Sequence, residues 1–364
     1  MSECCGPPQS CCCDAPPEYA YSPQLFVTGT VDTLAGPVER ISTQLGASDK
    51  RGAVRVRLGI RRGDYRVRPA LYAVGSPDDT SPVLVTCNYK LTFDVVRREL
   101  AGRDAWLLVL DTRGVNVWCA AGKGTFGTAE VVRMVRKVRL DQIVGHTRLV
   151  LPQLGATGVA GHEVRSRCGF SVNWGPVRAS DLPIFLDAGM TATPEMRAVR
   201  FPLADRAKLV GVEMSVLWRR TSLVLLGLAA VIAIVLSQVA PEMLGRFGLT
   251  VLACILGVLA GAAVAPLLLP WVPGRAFSLK GALVGVAVVG GTVAVVTAGD
   301  VPLWDWGLVA IGTAIASYTA MNFTGSSTFT SPSGVDWEMR RAIPLQLAAL
   351  TAGIALIVVS LIAG

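Results

Sequence analysis

The sequence predicts an α/β Rossmann-like domain followed by an all-α transmembrane domain of five helices. Between about residues 53 and 190, short apolar runs alternate with helical patterns, which is typical of a doubly wound, mostly parallel sheet. Beyond Thr221 the chain contains five long uncharged segments, each near or above the roughly 18–20 residues needed to cross a bilayer as a helix. The composition agrees, since 52% of the 364 residues are hydrophobic and 16% are charged, against about 25% charged in a typical soluble protein.

Residues 1–50 are predicted to form a disordered tail rich in cysteine and proline. They contain Pro7-Pro8 and Pro16-Pro17, and no apolar run of the kind that a signal peptide needs. Five of the nine cysteines lie in the first thirteen residues, which is typical of a reduced cytoplasmic tail rather than of a disulfide framework. Thiolates suit soft metal ions, so two interpretations stay open: adventitious thiols, or capture of an ion such as Hg(II) by Cys4, Cys5, Cys11, Cys12 and Cys13.

The predicted α/β domain spans residues 51–205. Its candidate strands are 70–74, 82–86, 105–111, 148–151 and 170–173, and its candidate helices are 91–100, 125–138, 159–167 and 179–188. In a parallel sheet, the loops that follow the strands share the carboxyl edge. We therefore expect the loops 87–89, 112–124 and 152–158 to converge on one crevice.

A linker over residues 206–220 leads to the predicted transmembrane domain, residues 221–364. Its spans are predicted at residues 221–240, 249–270, 281–298, 304–322 and 343–363. Only Arg246 flanks the spans on one side, whereas the other side has Arg219, Arg220, Arg275, Lys280, Arg340 and Arg341. The positive-inside rule then predicts a multi-pass protein of the cytoplasmic (inner) membrane, in contact with membrane lipid, with its soluble domain in the cytoplasm. The hydroxyl-rich loop at residues 322–341 is interpreted either as a solvated connector or as a contact with the soluble domain or a partner.

The stretch Asn116-Val117-Trp118-Cys119-Ala120-Ala121-Gly122-Lys123 follows the candidate strand 105–111 and precedes the candidate helix 125–138. Its end looks like a phosphate-binding P-loop, but that motif needs an earlier glycine and a Ser or Thr after the lysine. This chain has Val117 and Gly124 there, which excludes a P-loop. Asn116 is a favourable N-cap for a helix. The net charge of +8 does not predict nucleic-acid binding, because the arginines are dispersed without interleaved aromatic residues.

All eight residues of this stretch match the cap-helix motif of the mercury-methylating corrinoid protein (HgcA) family, which the chain resembles from about residue 55 to its end. The resemblance implies that Cys119 lies beneath the corrin ring, as the lower axial ligand of cobalt in a cobalamin-type cofactor. It implies cofactor contacts from Asn116, Val117, Trp118, Cys119, Ala120, Ala121, Gly122 and Lys123. On position alone, such a cysteine would be interpreted as a buried small residue or a free thiol.

A second loop, within residues 151–159, resembles the corrinoid-facing loop of the large subunit of corrinoid iron–sulfur proteins. The resemblance implies cofactor contacts from Gln153, Leu154, Gly155, Ala156, Thr157 and Gly158. Gly155 and Gly158 would let the backbone approach a flat macrocycle without a Cβ atom in the way. Ordinary tight turns are the alternative interpretation of these glycines.

The resemblance implies a corrinoid-dependent methyltransferase, in which a methyl group passes from methyl–Co(III), ligated by Cys119, to inorganic Hg(II) to form methylmercury. An anionic thiolate opposite the methyl group would favour its departure as a carbanion equivalent, which a soft electrophile accepts. His146 and His162 lie outside the Asp-x-His-x-x-Gly motif of many corrinoid methyltransferases. We expect both histidines to be packing or surface residues.

The chain lacks the four-cysteine spacing of an iron–sulfur cluster, so the cobalt would need an external reductant. The resemblance supplies a small ferredoxin with two 4Fe–4S clusters, and a folate-type methyl donor that acts through a separate methyltransferase. The alternative function is a membrane-anchored corrinoid methyl carrier of one-carbon (acetyl-CoA pathway) metabolism. A transporter with a regulatory soluble domain is less favoured, because the uncharged segments offer no charged residue to mark a substrate path.

Overall fold

A computed structural model describes residues 21–298, 301–323 and 332–363. The chain divides into two compact units: one joins residues up to Lys50 to Gly63–Arg197, and the other joins Arg51–Arg62 to Ala198–Gly364. Residues 324–331 of the predicted hydroxyl-rich loop lie outside the described residues, and so do the five tail cysteines, Cys4, Cys5, Cys11, Cys12 and Cys13.

The first unit is an α/β domain whose described residues form one seven-stranded sheet. Its strands are β1 (Val27–Thr33), β2 (Gly36–Ile41), β3 (Leu71–Val74), β4 (Val83–Cys87), β5 (Ala105–Leu110), β6 (Arg148–Leu151) and β7 (Ser171–Trp174). They lie in the order β1-β2-β3-β5-β4-β6-β7. The last four are parallel, but β3 is antiparallel to β5 and β1 is antiparallel to β2. The sheet is therefore mixed, and the predicted Rossmann-like topology is not confirmed.

Helices cover the sheet on both faces. They are α2 (Lys90–Glu99), α3 (Val117–Gly122), α4 (Thr128–Lys137), α5 (Gly161–Cys168), α6 (Leu182–Asp187) and α7 (Pro194–Arg197). Of α1 (Ala47–Arg57), only residues 47–50 belong to this unit. On one face, Leu107 and Val150 pack with Phe93 of α2 and Phe185 of α6. α4 lies against β5 and α5 against β7, and their buried residues belong to the other face. β4 and β5 are buried along their whole length because helices cover both faces of the sheet at these strands.

Residues 21–50 differ from the disordered tail predicted for residues 1–50. β1 and β2 form an antiparallel hairpin in which Val31 aligns with Val38, and Arg40 of β2 aligns with Ala73 of β3. Phe26 and Ile41 are both 3% exposed in the core of the domain. The hairpin escaped prediction because β1 is an edge strand with mostly solvated side chains, so it lacks the apolar run that identifies the inner strands.

The second unit is helical. It contains α8 (Leu203–Glu213), α9 (Arg220–Val239), α10 (Pro241–Leu259), α11 (Ala265–Leu267), α12 (Phe277–Gly285), α13 (Gly291–Val296), α14 (Leu303–Asn322) and α15 (Pro332–Ile362). Single π-helical turns join α10 to α11 and α12 to α13. Among the described residues, four helices are long and apolar enough to cross a membrane: Arg220–Val239, Met243–Leu267, Phe277–Val296 and Gly334–Ile362.

The fourth predicted span, residues 304–322, coincides with α14, which is not one of those four helices, so five spans are not confirmed. α14 includes Asp305, Ser317 and Thr319, and all three are buried. The helix packs against α10, α12 and α15. Because protein rather than lipid surrounds it, α14 does not need the uniformly apolar surface on which the prediction of five spans depended.

Candidate functional site

The turn between β5 and α3 places Cys119 at the carboxyl edge of the sheet. Asn116 has an extended backbone, and its Oδ1 atom accepts a hydrogen bond of 2.9 Å from the backbone N–H of Cys119. This contact satisfies one of the free N–H groups of the first helical turn, so the predicted N-cap is confirmed. Cys119 is half-buried, and it is a free thiol.

Of the eight residues of the motif, half-buried Asn116 caps the helix, and the other seven divide into a buried set and a more accessible set. Val117, Ala120 and Ala121 are the buried residues of α3. Trp118 and Cys119 are half-buried, and Gly122 and Lys123 are exposed. The buried residues fix the helix to the domain, which leaves the thiol and its exposed neighbours on the open side of the turn.

The loop after β6 lies directly against this turn. A Cβ atom on Gly158 would stand 2.3 Å from the backbone oxygen of Phe126 and 2.9 Å from the Cα of Ala121. A Cβ atom on Gly155 would stand 2.6 Å from the ring of Phe126. These glycines are therefore required by close packing inside the protein, and the contact with a macrocycle that motivated their selection stays a prediction. Of the other predicted residues in the loop, Gln153 and Leu154 are half-buried, and Ala156 and Thr157 are exposed.

Asn88, which follows β4, holds the turn after β5 in place. Its side chain is fully buried, and its Nδ2 atom donates to Oδ1 of Asp111 at 3.0 Å. Its Oδ1 atom accepts from the backbone N–H and the hydroxyl of Thr112 at 3.1 and 3.0 Å, and from the N–H of Gly114 at 2.9 Å. One side chain thus links two neighbouring strand ends. Sequence reasoning placed Asn88 in an edge loop but missed this role, and the only signal was a polar residue directly after a buried strand.

The same turn contains two consecutive residues with left-handed backbone, Arg113 at φ +57° and Gly114 at φ +73°. A Cβ atom on Gly114 would stand 2.7 Å from Cγ of Arg66, so only glycine fits there. Asp111 donates its backbone N–H to Glu130 of α4 at 2.8 Å. Contacts from three elements therefore fix the path of the chain that leads to Cys119.

A buried cluster of charges stabilises the neighbouring helix α2. Lys90 contacts Asp49 at 2.5 Å and Asp94 at 2.7 Å, and Arg97 contacts Asp94 at 2.8 Å and Asp49 at 2.7 Å. Burial raises the pKa of the Asp49 carboxyl, but the hydrogen bond and charge of Lys90 and the charge of Arg97 outweigh burial, so the net pKa is lowered. Burial, followed by the carboxylates of Asp94 and Asp49, raises the pKa of Tyr65, whose hydroxyl lies 3.4 Å from Asp94.

Both histidines are surface or packing residues, as predicted. The Nε2 atom of His146 lies 2.9 Å from the backbone oxygen of Ser81, and its Nδ1 atom accepts from the N–H of Arg148 at 3.2 Å, at the amino ends of β4 and β6. His162 is exposed on α5. Two cavities, of about 390 and 580 Å³, also lie at the amino ends of the strands. Within the described residues, no group of three or more His, Cys, Asp or Glu side chains could hold a metal ion.

The surroundings of Cys119 suit a large flat ligand better than a small enclosed one. Gly122 and Gly124 are exposed, and a Cβ atom on either would meet nothing within 4 Å. Ala156 and Thr157 are exposed on the adjacent loop. A half-buried thiol beside small residues and open space would therefore leave room for a macrocyclic cofactor that takes one sulfur ligand.

Comparisons with known proteins concern this same unit. Residues 61–186 match the family model of the CO dehydrogenase/acetyl-CoA synthase delta subunit. The chain is 37% identical over 128 residues to the acetyl-CoA decarbonylase/synthase complex subunit gamma of Methanopyrus kandleri, covering 35% of this chain and 27% of the relative. It is 32% identical over 129 residues to the corrinoid/iron–sulfur protein large subunit of Moorella thermoacetica, covering 35% of this chain and 28% of the relative.

Part of this chain is similar in sequence to subunits of acetyl-CoA decarbonylase/synthase complexes and to the large subunit of a corrinoid/iron–sulfur protein. The matched part of the first of these relatives is 27% of its length, and that of the second is 28%. The matched model covers both loops that meet at Cys119. The four candidate membrane helices begin at Arg220, beyond the matched residues.

Proposed function

We propose that this chain is a membrane-anchored corrinoid protein that carries a methyl group in one-carbon metabolism. The observation that carries the proposal is the half-buried thiol of Cys119 at the carboxyl edge, within residues 61–186 that match the corrinoid-related family model. The printed name of one relative includes a corrinoid, and the names of others describe subunits of an acetyl-CoA decarbonylase/synthase complex. These names favour a carrier of one-carbon units as the first candidate.

The corrinoid, when bound, would supply a cobalt atom that accepts and releases the methyl group. The protein's contribution is to hold one sulfur donor in a fixed position. Asn116 fixes the first turn of α3, and Asn88 fixes the strand end that leads into it. The accessible residues Trp118, Gly122 and Lys123, with Gln153, Leu154, Ala156 and Thr157 of the next loop, would contact the rim of the ring. The buried residues Val117, Ala120, Ala121 and Gly155, together with half-buried Gly158, would instead pack the two loops against each other.

The proposed partners are a reductant and a methyl donor, for which the described residues show no site of their own. Cys87, Cys119, Cys168 and Cys254 are free and lie in different elements, and none of them belongs to a group that could hold a metal ion. The proposal therefore includes an external reductant, for which a small ferredoxin with two 4Fe–4S clusters is the candidate. It also includes a folate-type methyl donor that acts through a separate methyltransferase. The four apolar helices would anchor the chain in the cytoplasmic membrane, with the α/β unit on the cytoplasmic side.

A second candidate function is methyl transfer to inorganic Hg(II), which would make the chain a mercury-methylating enzyme. The observation that favours it is that the candidate ligand is the sulfur of Cys119. A thiolate is anionic and would donate electrons to cobalt more strongly than a neutral imidazole does. Such a donor favours release of the methyl group toward a soft electrophile. The match of Asn116–Lys123 to the motif of the HgcA family supports the same candidate.

The absorption spectrum of the full chain in detergent, reconstituted with methylcobalamin, tests the corrinoid site. Wild type is compared with Cys119→Ala, and with Cys168→Ala as a control that removes another half-buried thiol. We expect a cysteine-dependent band that is lost only in Cys119→Ala. Binding with identical spectra in all three proteins would contradict sulfur ligation, and failure of wild type to bind any corrinoid would contradict both candidate functions.

The two candidates are then separated by supplying Hg(II) to the methyl-loaded protein. Methylmercury formed by wild type and Cys168→Ala, but not by Cys119→Ala, would establish the second candidate. If wild type forms none while it still passes its methyl group to a thiol or a partner protein, the second candidate is wrong and the carrier remains.

A further inference from the structure

The segment Arg51–Arg62 belongs to the helical unit and is strongly basic. It contains no acidic residue and five arginines: Arg51, Arg55, Arg57, Arg61 and Arg62. The side chains of Arg55, Arg57 and Arg61 are exposed, and no described residue forms an ion pair with them. Three exposed arginines without an ion pair within seven residues favour an anionic partner.

Exposed apolar side chains alternate with these arginines. Val54 is 55% exposed, Leu58 is 39% exposed and Ile60 is 40% exposed. A soluble, solitary surface segment would gain nothing from three such side chains in seven residues. The combination of arginine and aliphatic side chains is typical of helices that lie in the interface of a membrane.

This segment packs on the part of the chain that leads into the first candidate membrane helix. A Cβ atom on Gly211 of α8 would stand 2.7 Å from the backbone oxygen of Arg57. Gly59 has φ +77°, and a Cβ atom there would stand 2.5 Å from the Cβ of Ser215. Ser215 lies only five residues before Arg220, where α9 begins. The basic segment is thus fixed next to the entry of a candidate span.

α8 is fixed in turn to the end of another candidate span. Nη1 of Arg206 donates to the backbone oxygen of Leu267 at 2.6 Å, and its guanidinium lies 5.4 Å from the ring of Trp271. Trp271 is 65% exposed and Trp218 is 40% exposed. Tryptophan is enriched at membrane–water interfaces, so this end of the helical unit has the aromatic residues expected at that depth.

Further exposed cations lie at the same end, namely Arg219, Arg220 and Arg275, and Lys208, which pairs with Asp205 at 2.9 Å. We call this surface the basic platform, and define it as residues 51–62, 203–220 and 271–275. The opposite end, where α10 and α14 begin, differs in charge. Its arginine, Arg246, lies 5.8 Å from the ring of Trp304 and near the buried carboxyl of Asp305. Positive charge is therefore concentrated at one end of the described helical unit.

We propose that the basic platform binds the headgroups of anionic phospholipids such as phosphatidylglycerol. The occupant follows from three features of the platform: its charge, its exposed aliphatic and tryptophan side chains, and its continuity with the candidate membrane helices. Each Lys or Arg near an anionic membrane surface increases affinity roughly five-fold at low ionic strength. The proposal rests on the membrane placement within the proposed function, and it is independent of the corrinoid.

The test compares lipid binding by the full chain in nonionic detergent. The affinity for labelled phosphatidylglycerol is measured by fluorescence anisotropy, beside that for labelled phosphatidylcholine. The platform variant is Arg55→Gln/Arg57→Gln/Arg61→Gln. The matched control, Lys137→Gln/Arg165→Gln/Arg167→Gln, removes the same charge from exposed positions of α4 and α5.

We expect wild type and the control to prefer phosphatidylglycerol, with an affinity that falls as salt screens the charges. The platform variant should lose affinity on the order of 100-fold at low salt. Equal affinity of wild type for the two lipids, or a platform variant that binds like the control, would overturn the proposal. So would a variant that keeps its lipid affinity but changes from dimer to monomer in sedimentation, because the surface would then contact a second copy.

No corrinoid is present in these measurements, so failure of the corrinoid site leaves the expected result unchanged. If the helical unit does not enter membranes at all, the full chain will stay soluble and monodisperse without detergent. That result identifies failure of membrane placement rather than failure of the platform alone.

Discussion

The two units of this chain differ in which apolar side chains they expose and in how far small residues contribute to their cores. In the α/β unit, large apolar side chains such as Tyr72, Phe93 and Trp106 are almost fully buried, and Arg97 is buried with them. In the helical unit, α9 exposes its leucines and valines, whereas Ala260 and Ala316 are buried. The first pattern follows from expelling apolar surface from water. The second is expected where the surrounding medium is itself apolar and helices associate through close contact of small residues.

The largest effect is expected from breaking the buried charge cluster of the α/β unit. Arg97→Met removes a side chain that is fully buried and bonded to Asp49 and Asp94. Because the two carboxylates lose one of their two cations, we expect the free energy of unfolding to fall by about 3–5 kcal/mol. Hydrogen–deuterium exchange of peptides from β4 and β5 measures this unit separately from the helices. Arg98→Met, which removes a largely exposed pair with Glu99, is the control and should cost about 1 kcal/mol or less; equal losses in both variants would contradict the prediction.

The next effect concerns the turn before Cys119. Asn88→Ala removes the acceptor of the N–H groups of Thr112 and Gly114, and one of the donors to the Asp111 carboxylate, which keeps its bond from the N–H of Arg113. We expect a loss of about 2–3 kcal/mol in the free energy of unfolding. The turn should also open, which raises the rate of Cys119 alkylation by iodoacetamide relative to that of Cys168 in the same protein. Mass spectrometry of the two peptides gives that ratio. An unchanged ratio in a destabilised variant would show that Asn88 stabilises the domain without positioning Cys119.

Two glycine substitutions test whether the helical unit depends on close contact between helices. A Cβ atom on Gly257 would stand 2.6 Å from the backbone oxygen of Gly312, whereas one on Gly227 would meet nothing within 4 Å. Gly257→Ala should therefore separate α10 from α14 and lower stability in detergent by about 1–3 kcal/mol. Gly227→Ala replaces glycine with a better helix former at an open position and should be neutral or slightly stabilising. Thermal unfolding of both variants checks the contrast, and identical transition temperatures would refute close packing at Gly257.

The smallest effect is a pH dependence confined to the α/β unit. The pKa of Asp49 is lowered in the folded protein because Lys90 and Arg97 outweigh the effect of burial. Its stabilising contribution is therefore complete above the unfolded pKa of about 3.9 and is lost as the pH falls through the lower, folded value. Hydrogen exchange at pH 6 and at decreasing pH below 4 should show this loss in wild type and a flatter profile in Asp49→Asn. If Asp49→Asn loses stability over the same pH range as wild type, groups other than Asp49 cause the pH dependence.

Local sequence patterns were sufficient to predict those elements that depend on residues close together in the chain. β3 to β7 lie close to their predicted positions. The inner strands β3, β4 and β5 were identified because they are buried along their whole length and their sequences are therefore largely apolar. Asn116 was identified as an N-cap because the interaction spans only three residues. The β1–β2 hairpin was missed because its partner, β3, lies about thirty residues away in the sequence.

The missed features of the site depend on contacts between distant segments. Asn88 bonds to residues 23 to 26 positions later, and Gly158 packs against Ala121 and Phe126. No local pattern marks such pairs. α14 illustrates the same limit for membrane helices, since its polar residues are tolerated only because three other helices surround it.

The position of the β1–β2 hairpin at the edge of the sheet determines which fragments of the α/β unit should be soluble. The boundary that the sequence predicts, residue 51, would remove β1 and β2 and leave β3 as the outer strand of the sheet. Residues Leu71–Val74 of β3 are at most 5% exposed in the intact domain. Their unpaired backbone groups would then template strands from other molecules. A fragment that begins at residue 51 should therefore aggregate edge to edge, whereas one that begins at residue 21 retains the hairpin that shields this strand.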